Sequence, residues 1–254
     1  MKIFKNRVIP CLLLQNNGLV KTTRFKKPVY VGDPINAIKI FNDKEVDELI
    51  LLDIDASKTS KEPDYKFIRE IAGECFMPLC YGGGIKNLQQ AYTLFSLGVE
   101  KLSLQTQLYS SLDLLSQIST DFGRQSVVVS VDIKKNLFGK YEIFSAAQNK
   151  TLKLNWIKFL EHAMEAGAGE ILINSVDRDG TMSGVDAGLI KEAAAVCNVP
   201  LIVMGGVGKI DDIKLAIDSG ADAVAAGAYF VFHGPHRAVL ITYPKYKDLL
   251  NLFQ

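Results

Sequence analysis

The sequence lacks the features that mark membrane-spanning, disulfide-rich and strongly charged proteins. Among 254 residues, 29 are lysine or arginine and 28 are aspartate or glutamate, so the net charge is only +1. This balance favours binding neither to nucleic acid nor to an anionic membrane. The apolar run Val8–Leu14 is too short for a secretion signal, and no run reaches the roughly 18 residues that cross a bilayer. A cytoplasmic protein is therefore expected.

Few residues are available for disulfides or metal binding. The four cysteines are scattered and form no CxxC pair, which is typical of reduced thiols in a cytosolic protein. His233 and His236 lie three residues apart, but no third ligand lies nearby, so no metal is expected. The chain also has neither a dinucleotide-binding nor a phosphate-loop motif, and no cofactor is implied.

Eight short apolar runs alternate with longer amphipathic stretches. Runs rich in Val, Ile and Leu, with little alternation, predict parallel strands covered on both faces. Eight such units in one chain of this length favour a single α/β domain, a (β/α)8 TIM barrel. The two longest stretches between elements, Gln15–Gly32 and Lys134–Leu152, are expected to be irregular loops. The predicted strands are Val8–Leu14, Glu48–Asp53, Met77–Tyr81, Lys101–Leu104, Ser126–Asp132, Glu170–Asn174, Pro200–Met204 and Ala223–Ala226.

The sequence contains an internal repeat. Glu48–Leu51 recurs as Glu170–Ile173, 122 positions later, and Gly83-Gly84 recurs as Gly205-Gly206 at the same offset. A constant offset indicates two half-barrels, about residues 1–122 and 123–254. Each glycine pair follows a strand, where its backbone can approach an oxyanion closely. The repeat therefore predicts two phosphate sites and a bis-phosphorylated ligand.

Acidic residues close several of the predicted strands. Asp132 ends the fifth strand, Asp53 and Asp55 end the second, and Asp177-Arg178-Asp179 follow the sixth. In a barrel of this kind, the carboxyl ends of the strands carry the catalytic groups. The first strand ends in Cys11–Leu14 and supplies no acid.

Five ordered motifs resemble the cyclase subunit of imidazole glycerol phosphate synthase, and the resemblance covers about residues 5 to 232. It implies a barrel of two half-barrels that takes ammonia from a glutaminase subunit. It also implies that a bis-phosphorylated aminoimidazole carboxamide ribonucleotide is split into imidazole glycerol phosphate and a purine precursor. The motifs are Arg7–Leu12, Val31–Pro34, Leu52–Ser57, Gly82–Ile85 and Asp177–Thr181.

The resemblance assigns binding residues with two departures. Lys21 matches the family's loop lysine, in a segment that is either a lid over the substrate or a solvated loop. Gln105 stands where asparagine is usual, and Gly227 where serine is usual. The implied phosphate-binding residues are Gly84, Gln105 and Thr106 in one half and Asp179, Gly180, Gly206, Ala226 and Gly227 in the other.

The main departure concerns catalysis. Asp132 matches one of the family's two catalytic aspartates, whereas Leu13 occupies the position of the other. Loss of an acid–base group costs about 10²–10⁴-fold in rate. Asp55 stands where threonine is usual and is the candidate replacement for the missing carboxylate. The alternative is that cyclisation is no longer the reaction.

The charged ring that admits ammonia in this family is complete here, with Arg7, Glu48, Lys101 and Glu170. The combination resembles a divergent second copy of the subunit, found with surface-polysaccharide genes and an ATP-dependent amidotransferase that makes acetamidino sugars. Three functions stay open: an ammonia-handling subunit for a polysaccharide sugar, the histidine-pathway cyclase, or a non-catalytic conduit that activates the glutaminase. The C-terminal segment His236–Pro244 is expected to be an extended arm in place of a final amphipathic helix.

Overall fold

The computed structural model describes residues 6–253, which contain the elements of a barrel and several added antiparallel strand pairs. Fourteen strands lie in this part of the chain, namely β1 (Arg7–Gln15), β2 (Gly18–Thr23), β3 (Lys26–Gly32), β4 (Leu49–Asp53), β5 (Leu79–Gly82), β6 (Lys101–Leu104), β7 (Val127–Lys135), β8 (Tyr141–Ser145), β9 (Lys150–Thr151), β10 (Glu170–Ser175), β11 (Leu201–Met204), β12 (Ala223–Ala226), β13 (Phe232–His233) and β14 (Ala238–Val239). The α-helices of the same part are α1 (Pro34–Asp43), α2 (Tyr65–Glu74), α3 (Leu88–Ser96), α4 (Asp113–Phe122), α5 (Trp156–Glu165), α6 (Ala187–Ala194), α7 (Ile210–Asp218), α8 (Ala228–Val231) and α9 (Tyr246–Leu252).

Eight of these strands close into a parallel barrel. The order is β1-β4-β5-β6-β7-β10-β11-β12, and the barrel closes where Arg7 of β1 pairs with Ala223 of β12. Every pair around this ring is parallel. The predicted (β/α)8 barrel is confirmed.

Side-chain caps begin most of the outer helices. Asp33 Oδ1 accepts a hydrogen bond from the Asn36 amide at 2.9 Å, and Pro34 occupies the first turn of α1. This arrangement satisfies an amide that has no partner within the helix. The residues that cap α2, α3, α5 and α6 in the same way are Asp64, Asn87, Asn155 and Asp186.

The core has two parts. The larger part lies between the sheet and the helices, where Phe41 and Leu94 are fully buried. The smaller part fills the barrel interior, with Ile9, Ile50 and Leu172 among its members. Side chains therefore fill the barrel towards the amino-terminal ends of its strands, and open space remains at their carboxyl ends.

The two stretches expected to be irregular form β-hairpins, so that expectation was wrong. In the first, β2 pairs antiparallel with both β1 and β3. In the second, β7 continues beyond the barrel and pairs antiparallel with β8. The rings of Phe25 and Phe144 lie 6.1 Å apart, so the two hairpins touch.

The C-terminal expectation was also wrong in part. The segment up to Pro244 lies largely outside regular structure, as expected, but α9 follows it as a final helix. Leu249 of α9 is buried, and Tyr243 Oη donates a hydrogen bond to the Val8 carbonyl at 2.8 Å. Burial of Leu249 gives this short helix a packed face that the preceding sequence does not reveal. Within residues 6–253, no helix has the length and apolar character needed to span a membrane.

Gly169 lies between α5 and β10, where the backbone passes closest to its neighbours. A Cβ atom at this position would lie 1.9 Å from the Arg124 carbonyl oxygen, and the backbone cannot yield easily. We expect Gly169→Ala to lower the free energy of unfolding by about 2 kcal/mol, in the range of overpacked sites. Gly73→Ala is the matched control in α2, because its Cβ would meet nothing within 4 Å. It should stabilise the helix by roughly 0.5–1 kcal/mol. Equal urea midpoints for the two variants would contradict this prediction.

Candidate functional site

A cavity of about 590 Å³ opens at the carboxyl ends of the barrel strands. Both half-barrels and the β2–β3 hairpin line it. Its floor includes Ser103 and Ser130, whose hydroxyls are hydrogen-bonded at 2.6 Å. Leu13, Lys21 and Asp132 all line this cavity. The cavity is the mouth expected of a barrel enzyme.

Asp132 is held at the mouth by two amide side chains. Gln105 Nε2 donates to Asp132 Oδ2 at 2.7 Å, and Asn174 Nδ2 donates to Oδ1 at 3.2 Å. Burial raises the pKa of Asp132 to about 7, although both amides favour the carboxylate. Its position and its pKa suit acid–base work near neutral pH. Asn174 is a partner that sequence reasoning missed, although it lies next to Asp132 near the carboxyl end of β10.

The side chains from the first two barrel strands are apolar at this level. Leu13 pairs with Leu52, and both of them, like Met204, pack against the inner core. Asp55 is not among the residues that line the cavity, and its Oδ1 accepts a hydrogen bond from Gln15 Nε2 at 3.1 Å. Asp53 does line the cavity, and its Oδ1 accepts the Asp55 and Ala56 amides at 3.0 Å.

The predicted phosphate residues of the first half lie together on one wall. Gly84, Gln105 and Thr106 all line the cavity. Gly83 has a φ of +133°, and a Cβ there would lie 2.7 Å from the Asp53 carbonyl oxygen. Only glycine allows the backbone this close approach. Ser57 and Lys58 line the same end, and sequence reasoning missed both of them.

The second half is not equivalent. Asp179, Gly180 and Gly227 line the cavity, whereas Gly206 and Ala226 do not. The segment after β10 covers Gly206, because a Cβ there would lie 2.1 Å from the Gly184 oxygen. Ala226 is buried in β12 and pairs with Pro10 of β1. The sequence symmetry between the halves therefore does not produce two equally open sites.

Lys21 reaches the second half from the β2–β3 hairpin. Its ammonium is buried and donates a hydrogen bond to the Cys11 carbonyl. Burial lowers the pKa of Lys21, and the nearby Asp179 carboxylate opposes this effect. Thr22 Oγ1 also donates to Asp179 Oδ2 at 3.2 Å. The β2–β3 hairpin thus forms part of the wall at this end of the mouth.

Basic residues are concentrated on the two hairpins around the mouth. Residues 18–32 contain four lysines or arginines and no acid, and residues 134–153 contain five lysines and one glutamate. Each hairpin therefore carries a net charge of +4 in a chain whose total is +1. A cleft surrounded by one sign of charge raises the local concentration of counter-charged ligands. This distribution favours an anionic ligand at the mouth.

The four predicted ring residues meet at the opposite, amino-terminal end of the barrel. Arg7 contacts Glu48 at 2.6 Å and Glu170 at 3.0 Å, and Lys101 contacts the same two carboxylates at 2.9 and 3.1 Å. Burial by itself lowers the pKa of Lys101, but the two carboxylates raise it above its ordinary value. Glu48 Oε1 and Glu170 Oε2 are buried and have no hydrogen-bond partner within residues 6–253. The ring closes the barrel with a tightly paired set of charges.

Comparisons with known proteins agree with this architecture. The sequence profile described as "Histidine biosynthesis protein" matches residues 7–236. The chain belongs to this family. It is 54% identical to a Pseudomonas aeruginosa protein provisionally named imidazole glycerol phosphate synthase subunit hisF2, over 96% of this chain and 98% of that protein.

Two further relatives also bear the name imidazole glycerol phosphate synthase. A Leptospira interrogans protein with the same provisional synthase name, subunit HisF, is 48% identical over 99% of this chain and all of its own length. A Streptomyces avermitilis protein, named imidazole glycerol phosphate synthase subunit HisF without qualification, is 38% identical over 89% of this chain and 90% of its own. The resemblance to the cyclase subunit is confirmed. The link to polysaccharide genes stays a prediction.

Glu48 accepts hydrogen bonds from both Arg7 and Lys101, so its substitution should lower the stability of the protein. Glu48→Gln would leave Arg7 and Lys101 facing one carboxylate in a buried site. We expect the free energy of unfolding to fall by about 3 kcal/mol, as for other broken buried pairs. Glu74→Gln removes an exposed contact to Lys39 and should cost less than about 1 kcal/mol. Urea denaturation of both variants tests this, and similar losses would contradict it.

The buried Asp132 should make the stability of the protein depend on pH. The pKa of Asp132 is about 7 in the folded protein, against roughly 3.9 for an unfolded aspartate. Between these values the folded state holds a proton that the unfolded state has lost, so stability falls as pH rises. Relative to Asp132→Asn, wild type should lose up to about 4 kcal/mol between pH 4 and pH 7. Parallel stability curves for the two proteins would contradict the buried assignment.

Proposed function

We propose that this chain is the barrel subunit of a glutamine amidotransferase complex that receives ammonia from a glutaminase subunit. The ammonia serves the amidination of a surface-polysaccharide sugar, together with a separate ATP-dependent amidotransferase. One observation carries this proposal: a complete charge ring lies at one end of the barrel, and at the other end Leu13 stands where the resemblance implies an acid. The entrance for ammonia is kept, whereas the ancestral cyclisation is not supported.

The free-energy cost of the charge ring supports its role as an entrance for ammonia. Four charges that have left water are stabilising only when they are well paired, and apolar residues of similar size often serve as well. Two carboxylate oxygens in the ring have no hydrogen-bond partner among the residues that the structure describes, which adds to this cost. A ring that served stability alone has no need of these charges. Its retention supports a role in docking the glutaminase and admitting ammonia.

The mouth argument rests on Leu13. This side chain cannot move a proton, and its neighbours Leu52 and Met204 are equally inert. Asp55 bonds to Gln15 and is not a lining residue, so its place does not support the replacement of the missing acid. Asp53 lines the mouth, but its Oδ1 is engaged by two backbone amides. Asp132 is left as the acid best placed for proton transfer.

The histidine-pathway cyclase is the second candidate. The Streptomyces avermitilis relative bears the synthase name without qualification, and Asp132 and the first-half phosphate residues are kept. Under this candidate, Asp132 and water together do the work of two acids. A third candidate, a conduit without chemistry of its own, would need only the ring and the partner interface.

We expect no cyclase activity at the level of the family. Turnover of the bis-phosphorylated aminoimidazole ribonucleotide would be measured with saturating ammonium at alkaline pH, so that no glutaminase is needed. Wild type should be slower than Leu13→Asp by about 10²-fold or more if the missing acid alone blocks the reaction. Asp132→Asn is the matched control at the other acid position.

The outcomes separate the candidates. Robust wild-type turnover that Asp132→Asn abolishes would contradict the proposal and establish a true cyclase. If turnover is absent, sugar amidination is assayed with the glutaminase and the ATP-dependent enzyme present. Loss of product in Asp132→Asn with partner binding unchanged would show chemistry at the mouth. Unchanged product would show a conduit.

A further inference from the structure

We propose that the turn between β7 and β8 docks an acidic partner protein, the enzyme that consumes the ammonia. This inference rests on the proposed function, because it names the surface by which that enzyme would cover the same mouth. Its physical basis is an ordered turn that holds two apolar side chains in water among positive charges. The turn, with Leu137 and Phe138 at its end, is called the hairpin tip below.

The hairpin tip is the most exposed apolar feature of residues 6–253. Leu137 is fully exposed and Phe138 is 87% exposed, more than any other large apolar side chain in this part of the chain. Neither residue lines the cavity, so a ligand bound in the mouth does not account for them. Apolar side chains that lie together in water mark an interaction site more often than isolated ones do.

Asn136 holds the hairpin tip in one shape. Its Oδ1 accepts hydrogen bonds from the amides of Phe138 and Lys140 at 2.9 and 3.0 Å. Its Nδ2 donates to Glu142 Oε1 at 2.7 Å, and its own amide donates to the Lys140 carbonyl at 2.9 Å. Leu137 and Phe138 are therefore presented on an ordered turn, which lowers the entropic cost of docking.

The base of the hairpin places the tip beside the mouth. Lys135 Nζ forms an ion pair with Asp186 Oδ2 at 2.9 Å, and the Lys135 amide donates to Asp177 Oδ2 at 2.8 Å. Leu137 follows Asp132 of the mouth by five positions, which limits their separation to about 17 Å. A protein that binds the hairpin tip is therefore brought to the carboxyl-terminal end of the barrel, where ammonia would leave.

The charge around the hairpin tip indicates an acidic partner. Residues 134–153 contain five lysines and one glutamate. Lys140 and Lys150 are exposed, and no carboxylate of the described residues forms an ion pair with either of them. An acidic surface would be attracted to this hairpin, and a basic surface would be repelled.

The same charge disfavours a second copy of this chain as the occupant. A symmetric contact between two hairpin tips would bring like charges together. An anionic membrane would satisfy the charge but would not take up ammonia at the mouth. An enzyme seated on the hairpin tip would receive ammonia before it is lost to water, so the proposed function favours a protein.

Direct binding tests the docking surface. The complex of this chain with its glutaminase would be titrated by calorimetry with the purified ATP-dependent amidotransferase. The double variant Leu137→Ser, Phe138→Ser should raise the dissociation constant about 30-fold, as expected when two central apolar anchors are lost. The double variant Lys140→Glu, Lys150→Glu should slow association about tenfold at low salt, because the partner is acidic.

Controls separate docking from folding and from ammonia supply. Leu215→Ser is the matched control, because Leu215 is 45% exposed on α7, and it should bind the amidotransferase as wild type does. Thermal melts and glutaminase binding should be the same in all variants, since only exposed side chains change. At limiting amidotransferase, glutamine-dependent amidination should fall in the double serine variant, whereas amidination with saturating free ammonium should not.

Four results would overturn the inference. Two are the absence of amidotransferase binding to wild type, and equal dissociation constants for wild type and the double serine variant. A third is a wild-type dimer in sedimentation that the serine changes abolish, which would show a second copy as the occupant. The fourth is cosedimentation with phosphatidylglycerol vesicles that the same changes abolish, which would show a membrane contact.

The inference and the proposed function can fail separately, because binding is measured without turnover. Amidination without binding would refute the docking surface and leave the proposed function intact. Binding that depends on Leu137 and Phe138, without any amidination, would refute the proposed function and leave the docking surface intact.

Discussion

The paired charges at the amino-terminal end of the barrel constrain the rest of the interior. Arg7, Lys101 and Glu170 begin three strands, Glu48 immediately precedes a fourth, and the four side chains form ion pairs with one another. Side chains alternate along a strand, so a fixed inward residue determines which residues point inward above it. A shift of one residue in any of these strands would place a charge against the outer core. The ring therefore fixes the register of the strands that reach the mouth.

The composition of the mouth follows from this register. The inward positions above the ring end in Leu13 on β1, Leu52 on β4, Gln105 just after β6 and Asn174 on β10. None of the four is a carboxylate. The buried acid comes from β7, where Asp132 lies between the two amides. The amides stabilise its carboxylate, and burial opposes them, which sets a pKa near neutrality. The charge ring and the buried Asp132 thus lie at the two ends of one alternating pattern.

The barrel could be predicted from the sequence because its strands are continuous apolar runs, but the hairpins could not. The turn of the β2–β3 hairpin is made by Arg24 and Phe25, both with positive φ, and neither is a usual turn residue. Lys21 was expected at the mouth, yet its burial against Gly227 depends on a contact more than 200 positions away. The prediction of two equivalent phosphate sites from the repeated glycine pairs was wrong for a similar reason, because a loop covers Gly206. The local sequence predicts the strands of the barrel, whereas tertiary contacts determine which sites stay open.

Asp55 does not share a face with Asp53, although the two residues lie two positions apart in the sequence. Asp53 and Asp55 would share a face if β4 continued, but β4 ends at Asp53. Beyond it, the Asp53 side chain accepts the Asp55 amide, which turns the chain and directs Asp55 to Gln15. The same bond engages Asp53, the carboxylate that remains at the mouth. A second acid at the position of Leu13 is therefore not restored by its neighbours. We therefore propose Asp132 as the acid for proton transfer at the mouth, and a reaction that needs only ammonia, an anion site and one acid in place of the two-acid cyclisation.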